Sequence, residues 1–173
     1  MNHETMVITK TGHQNMTKEL EVLKTVERPR LATAIAEARA LGDLKENAEY
    51  HAAKNAQGLL EARIATIENR LARASVVDIS KIKDFSRVIF GATVDICDLE
   101  TGEQISCTIV GDGETDTENQ KISIHSPIAR ALIGNEVGSE VSLEVPAGSK
   151  TYEILSIRSS LEETPHGKEG DLF

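Results

Sequence analysis

Two carboxylates, Asp43 and Glu46, stand three residues apart in the segment Gly42-Asp43-Leu44-Lys45-Glu46-Asn47-Ala48-Glu49-Tyr50, where one helical pattern gives way to another. On a helix that spacing puts both on one face. Carboxylate oxygens are hard ligands for Mg²⁺, an ion that takes one or two protein carboxylates and completes its shell with water or phosphate. Such a pair could complete a metal site held by another molecule. The same residues also spell a capping box, with Asp43 at the N-cap and Glu46 reaching back to it. The two readings are compatible, and spacing alone does not choose between them. Neither His51 nor His125 has a cysteine pair or a second His one turn away, so the free chain is expected to hold no stable metal. Cys97 and Cys107 read as small sheet residues rather than as a disulfide.

The pair needs elements to carry it. Met16, Leu20 and Leu23, then Leu31, Ile35 and Ala38, recur at three- or four-residue spacing and predict a long helix from about Thr11 to Ala40. Pro29 should kink or restart that helix near Arg28, because proline lacks the backbone donor. A second helix is predicted from about Leu44 to Ala74, with Leu60, Ile64, Ile67 and Leu71 forming a coiled-coil seam. So short a connection around Gly42 makes the two helices antiparallel neighbours, and Gly42 suits the end of the first. About thirty helical residues rise ~45 Å, so the hairpin would be a projecting rod with Asp43 and Glu46 at its tip. Ala36, Ala40, Ala48, Ala52 and Ala56 would keep that end slender if the helices pack closely there.

After Ala74 the pattern turns to alternation, with β-branched runs at Val76-Val77, 88–99, 105–110, 121–125, 141–145 and 151–157. Thr101-Gly102, the loop 111–119 and 146–149 supply turns, so hairpins of an antiparallel sheet are expected. Ser126-Pro127 should start a short helix that Gly134 ends. The fold class is therefore α+β, a long N-terminal antiparallel α-helical coiled-coil hairpin followed by a C-terminal antiparallel β-sheet domain with a short helix. The expected division is 1–79 for the hairpin, 80–158 for the sheet domain and 159–173 for a flexible tail.

The chain has 173 residues, of which 39% are hydrophobic, enough for a real core. Aromatics are only 3%, with no Trp, which argues against a base-stacking platform. A formal net charge of -9 repels polyanions at long range, so contact with nucleic acid must be local or arranged by a protein partner. No run approaches a membrane span or a signal peptide, and the expected location is the cytoplasm, with no membrane partner.

The segments Ala36-Glu37-Ala38-Arg39 and Gly42-Asp43-Leu44-Lys45-Glu46-Asn47-Ala48-Glu49-Tyr50-His51-Ala52-Ala53 closely resemble the GreA family of transcript cleavage factors. So do Arg87-Val88-Ile89-Phe90-Gly91-Ala92-Thr93-Val94 and Ser126-Pro127-Ile128-Ala129-Arg130-Ala131-Leu132-Ile133-Gly134. The resemblance covers roughly Met6 to Ile157, with its motifs in order. It implies a coiled coil followed by a domain of FKBP-like fold. It also implies a partner, bacterial RNA polymerase, entered through the secondary channel, and backtracked nascent RNA whose 3′ end is to be cleaved. Asp43 and Glu46 would then assist a second Mg²⁺ shared with the polymerase, the chain having no cofactor of its own and being no independent enzyme. Arg39 and Lys54 match basic positions that would contact RNA, although Lys54 stands where an arginine is usual and lacks its bidentate fork. Pro127, Ile128 and Arg130 would touch polymerase, while Lys45, Asn47, Glu49 and Tyr50 would play support roles.

Three rival readings differ in what they require. A channel-blocking inhibitor would share the fold but not this tip. An isomerase or chaperone would need an aromatic-lined pocket, and Phe85, Phe90 and Tyr152 are the only aromatics of the second domain. A purely structural coil leaves the acidic tip explained by capping alone.

Overall fold

A computed structural model describes residues 6–146 and 148–162, so most of the expected tail, 163–173, lies outside the described residues. The elements follow in order: β1 (Met6–Thr9), α1 (Lys10–Val22), a π turn (Leu23–Glu27), α2 (Arg28–Ala40) and α3 (Ala48–Ala72) come first. After them stand β2 (Ala74–Val77), a 3₁₀ turn (Ile79–Lys81), β3 (Ala92–Asp98), β4 (Gln104–Val110), β5 (Lys121–Ser123), α4 (Pro127–Leu132), β6 (Glu140–Val145) and β7 (Gly148–Ser159). They form two compact units, one containing Thr11–Ser75 and the other Val7–Lys10 with the chain from Val76 onward.

The first unit is a helical hairpin whose interruption has a physical cause. Leu23 and Leu31 lie eight residues apart, which on a straight α-helix leaves the second half of the apolar stripe about 80° out of phase with the first. A π turn holds one extra residue, and here the Arg28 amide donates to the Leu23 carbonyl, five residues back. The turn ends just before Pro29, whose ring could not have joined an unbroken ladder. Both halves consequently face α3. Met16, Ile35, Ala38, Leu60, Ile64 and Ile67 are buried, while Leu71 of the expected seam is half-buried. Ala38 meets Asn47 at the loop, and Arg28 with Glu61 and Lys24 with Glu68 lie farther from it on both helices, which is the antiparallel arrangement. Of the alanines expected to thin the end, Ala36, Ala40, Ala48 and Ala52 face solvent and only Ala56 is half-buried. The buried alanine at that end is Ala38 instead.

In the second unit the sheet order is β5-β4-β3-β7-β6, and a separate two-stranded sheet joins β1 to β2. Four strands are antiparallel neighbours, but β5 runs parallel to β4, with Ile109 opposite Ile122, so the sheet is mixed rather than wholly antiparallel. The cause is the connection: Asp116 and Lys121 exchange backbone hydrogen bonds and turn the chain inside the loop before it returns to the edge. The run expected as one strand from Val88 to Leu99 starts only at Ala92. Gly91 at φ +81° breaks it, and a Cβ there would lie 2.1 Å from Ile79 Cδ1. Along β3, Ala92, Val94 and Ile96 point into a core completed by Cys107, Ile109, Ala129, Leu132, Val141, Tyr152 and Ile154. Helix α4 closes that face with its Ser126 cap accepting from the Ala129 amide at 3.2 Å, Pro127 in its first turn and Gly134 at φ +86° beyond it.

On the other face of β3, Asp95 meets Arg158 and Ser156 of β7 and Ser106 of β4. Burial pushes the Asp95 carboxyl up, yet hydrogen bonds from Arg158, Ser156 and Ser106 outweigh it and hold the group at about 2. A carboxyl depressed on folding stabilises fully above its unfolded pKa and loses that contribution as pH falls towards its folded one. Here the window runs from about pH 4 to pH 2. Asp95→Asn should therefore flatten the acid limb of stability, and after solvent screening the difference at pH 7 is on the order of 1 kcal/mol. Denaturant titrations of both chains across that range check it; equal slopes would show that Asp95 is not a source of acid sensitivity.

Candidate functional site at the end of the hairpin

Between α2 and α3 the chain has seven residues, 41–47, to reverse direction. Leu41 caps α2, with its amide donating to the Ala38 carbonyl, and Gly42 at φ +83° leaves the helix in the left-handed region. Asp43 follows in open loop, its Oδ1 accepting the Lys45 amide at 3.1 Å. Helix α3 does not begin until Ala48, and its N-cap is Asn47, whose Oδ1 accepts the Tyr50 amide at 3.0 Å. Asp43 is thus not an N-cap and Glu46 closes no capping box. The two carboxylates lie on the loop rather than on a helix face, because Asn47 satisfies the first turn of α3 in their place.

Asn47 was read from sequence as a supporting residue, and the structure gives it both sides of the loop. Its Nδ2 donates to the Ala38 carbonyl at 2.7 Å and to the Gly42 carbonyl at 3.2 Å, so one side chain caps the end of α2 and the start of α3 together. His51, in the first turn of α3, places Nε2 3.1 Å from the Lys45 carbonyl, between the two acids. Asp43 and Glu46 are left exposed, with the side chains of Leu41 and Leu44 exposed beside them.

The basic candidates divide. Arg39, in the last turn of α2, sits over the Tyr50 ring at 5.7 Å from its centroid, a cation–π contact that keeps the guanidinium at the same end as the acids. Lys54, farther along α3, is exposed and donates to Gln57 at 2.9 Å. Pro127, Ile128 and Arg130 belong to α4 in the other unit, where Pro127 and Arg130 are exposed and Ile128 packs half-buried against the core.

The loop offers two solvent-facing carboxylates, and among the described residues no group of three or more His, Cys, Asp or Glu could hold a metal. No helix among the described residues is long and apolar enough to cross a membrane.

The described residues form a two-stranded helical hairpin ending in an acidic loop, followed by a sheet domain closed by one short helix, and comparison with known proteins gives the class, a transcription elongation factor. Residues 6–76 match the family described as transcription elongation factor, N-terminal, and residues 83–159 match transcription elongation factor, GreA/GreB, C-terminal. The chain belongs to the GreA/GreB family of transcription elongation factors. It is 53% identical over 150 residues to transcription elongation factor GreA of Nitrosococcus oceani, covering 87% of this chain and 95% of that protein. It is 50% identical over 157 residues to the GreA of Francisella tularensis subsp. novicida, covering 91% and 98%. Among solved structures, GreA factor homolog 1 of Thermus thermophilus aligns over 90% of this chain and 100% of its own at 26% identity, with a TM-score of 0.43.

Proposed function

We propose that this chain stimulates bacterial RNA polymerase to cleave its own backtracked transcript, acting in the cytoplasm as an accessory factor rather than as an enzyme by itself. The observation that carries the reading is the exposed pair Asp43 and Glu46 on the loop joining α2 and α3, in a chain 53% identical to a GreA protein. On this reading the hairpin enters the secondary channel and brings the loop to the polymerase active centre. A second Mg²⁺ held there jointly by polymerase and factor supplies Lewis-acid stabilisation of the charge that develops on phosphate oxygens. The chain's own contribution is placement. Asp43 and Glu46 present oxygens from a loop whose backbone is already fixed by side-chain hydrogen bonds, so little ordering remains to be done on arrival.

Arg39 and Lys54 contact the phosphates of the extruded RNA in this reading. Arg39 is the more strongly oriented of the two, because its guanidinium sits over the Tyr50 ring. Pro127 and Arg130 contribute to docking on polymerase through the exposed side of α4, with Ile128, half-buried against the core, beside them. Net charge of -9 is compatible with all of this, since a protein partner rather than bulk electrostatic attraction delivers the factor.

Stalled elongation complexes with 5′-labelled RNA backtracked by a few nucleotides provide the test. Added chain should shorten the labelled RNA faster than polymerase alone and return the complexes to elongation. Binding without acceleration would assign the chain to channel occupancy and inhibition instead.

A further inference from the structure

Four hydrogen bonds converge on the loop from two side chains, Asn47 and His51. Asn47 uses Nδ2 on Ala38 O and Gly42 O, and Oδ1 on the Tyr50 amide, while His51 Nε2 donates to Lys45 O. The acceptors bracket the acids: Gly42 precedes Asp43, and Lys45 precedes Glu46. Gly42, with nothing within 4 Å of a Cβ position, receives no packing that would fix it, and Asp43 and Glu46 are exposed. The described loop therefore owes its conformation to these polar ties and the Asp43 to Lys45 turn, and not to a core.

We infer that Asn47 and His51 are positioning residues, a clamp that sets where the Asp43 and Glu46 carboxylates stand before the tip meets its partner. The inference rests on the function proposed above and adds residues that touch neither metal nor RNA. Capping alone needs only the Oδ1 bond to Tyr50; the two Nδ2 bonds reach back across the loop and do nothing for α3. This difference separates the clamp from an ordinary helix start. Asn47→Asp keeps an acceptor for the Tyr50 amide but turns a carboxylate oxygen towards the Ala38 and Gly42 carbonyls. His51→Gln keeps a donor of similar reach for the Lys45 carbonyl, and His51→Ala removes it.

The test uses the full chain on backtracked complexes, measuring the maximal stimulated rate, the factor concentration for half-maximal rate, and the Mg²⁺ concentration for half-maximal rate, with far-UV circular dichroism as a check on α3. For Asn47→Asp the expected result is unchanged helicity and unchanged half-saturating factor, a maximal rate lowered by roughly 10- to 100-fold, and a raised Mg²⁺ requirement. His51→Ala should show the same signature more weakly, and His51→Gln should recover most of the rate. Should Asn47→Asp stimulate as well as the unaltered chain, or lose affinity for polymerase in step with rate, the clamp is wrong and Asn47 is a cap. If the unaltered chain itself fails to stimulate, it is the proposed function that falls, and the clamp loses its catalytic meaning with it.

Discussion

A chain carrying Asp43→Asn and Glu46→Gln should bind polymerase as tightly as the original and stimulate cleavage at least ~100-fold less at saturation. The magnitude is that of removing an electrostatic contact made only as charge develops at the reacting centre. Neither change should disturb the fold. Both residues are exposed, the replacements are isosteric, and Asn at position 43 still accepts the Lys45 amide, so stability should move by no more than about 0.5 kcal/mol. The single variants should each lose most of the rate rather than half of it, because on the proposed function the two carboxylates share one ion and would act as a unit. Raising Mg²⁺ should recover part of the rate for the single variants, since a missing ligand weakens ion binding before it prevents chemistry. Cleavage time courses at several Mg²⁺ concentrations, with competition against labelled unaltered factor for affinity, separate the terms. A double variant that still stimulates fully would remove the carboxylates from the mechanism and leave channel occupancy alone as the cause.

Where the sequence was informative, periodicity and turn chemistry act locally and leave few alternatives. The stripe Leu60, Ile64, Ile67 can face only one way on a helix, and Ser126-Pro127 with Gly134 brackets a helix of one length. The π turn was also written in the residues, as the eight-residue step from Leu23 to Leu31; the expected kink or restart near Arg28 gave the place of the interruption, where α2 begins, but not its π form. The start of α3 was harder. Asp43 and Asn47 are both good N-caps, and propensity ranks them nearly equal. What decides for Asn47 is that an amide donates as well as accepts, so it alone can serve the Ala38 and Gly42 carbonyls across the loop. That advantage exists only once the hairpin has closed, and no local pattern records it. For the same reason β5 could be recognised as extended while its direction could not, being set by hydrogen bonds within the preceding loop. The four residues of β1 are too few to show alternation, yet Ile8 among them is fully buried.

That short strand leads to the second large effect expected. Gly111 follows β4 with ordinary backbone angles for any residue, so an alanine there meets no conformational objection of its own. Its Cβ, however, would stand 2.2 Å from the Val7 carbonyl oxygen and 3.2 Å from Ile8 Cα. These are backbone atoms of a segment pinned in place: Thr9 donates its amide to Glu114 Oε2 at 2.9 Å and its hydroxyl to Glu114 Oε1, and Ile8 is fully buried. Of the three nearest atoms only Glu114 Oε2, 3.0 Å away, belongs to a side chain; the tightest contact is backbone and cannot rotate away, so Gly111→Ala should push residues 7–9 outward, exposing Ile8 and disturbing the Glu114 bonds. The loss should be about 2–4 kcal/mol, the scale of an emptied or overpacked core position. Gly58 offers the opposite case in the same chain. It lies exposed inside α3 with nothing within 4 Å of a Cβ, so Gly58→Ala should stabilise the hairpin by about 0.5–1 kcal/mol through helix propensity and lost unfolded-state freedom. Because the two units need not unfold together, hydrogen exchange resolved by residue is the suitable measurement. Faster exchange of the Ile8 and Thr9 amides in Gly111→Ala, with slower exchange along α3 in Gly58→Ala, is the expected pattern. Unchanged protection at Thr9 would mean that the Thr9–Glu114 bond survives the added methyl group, and that the strand is not displaced.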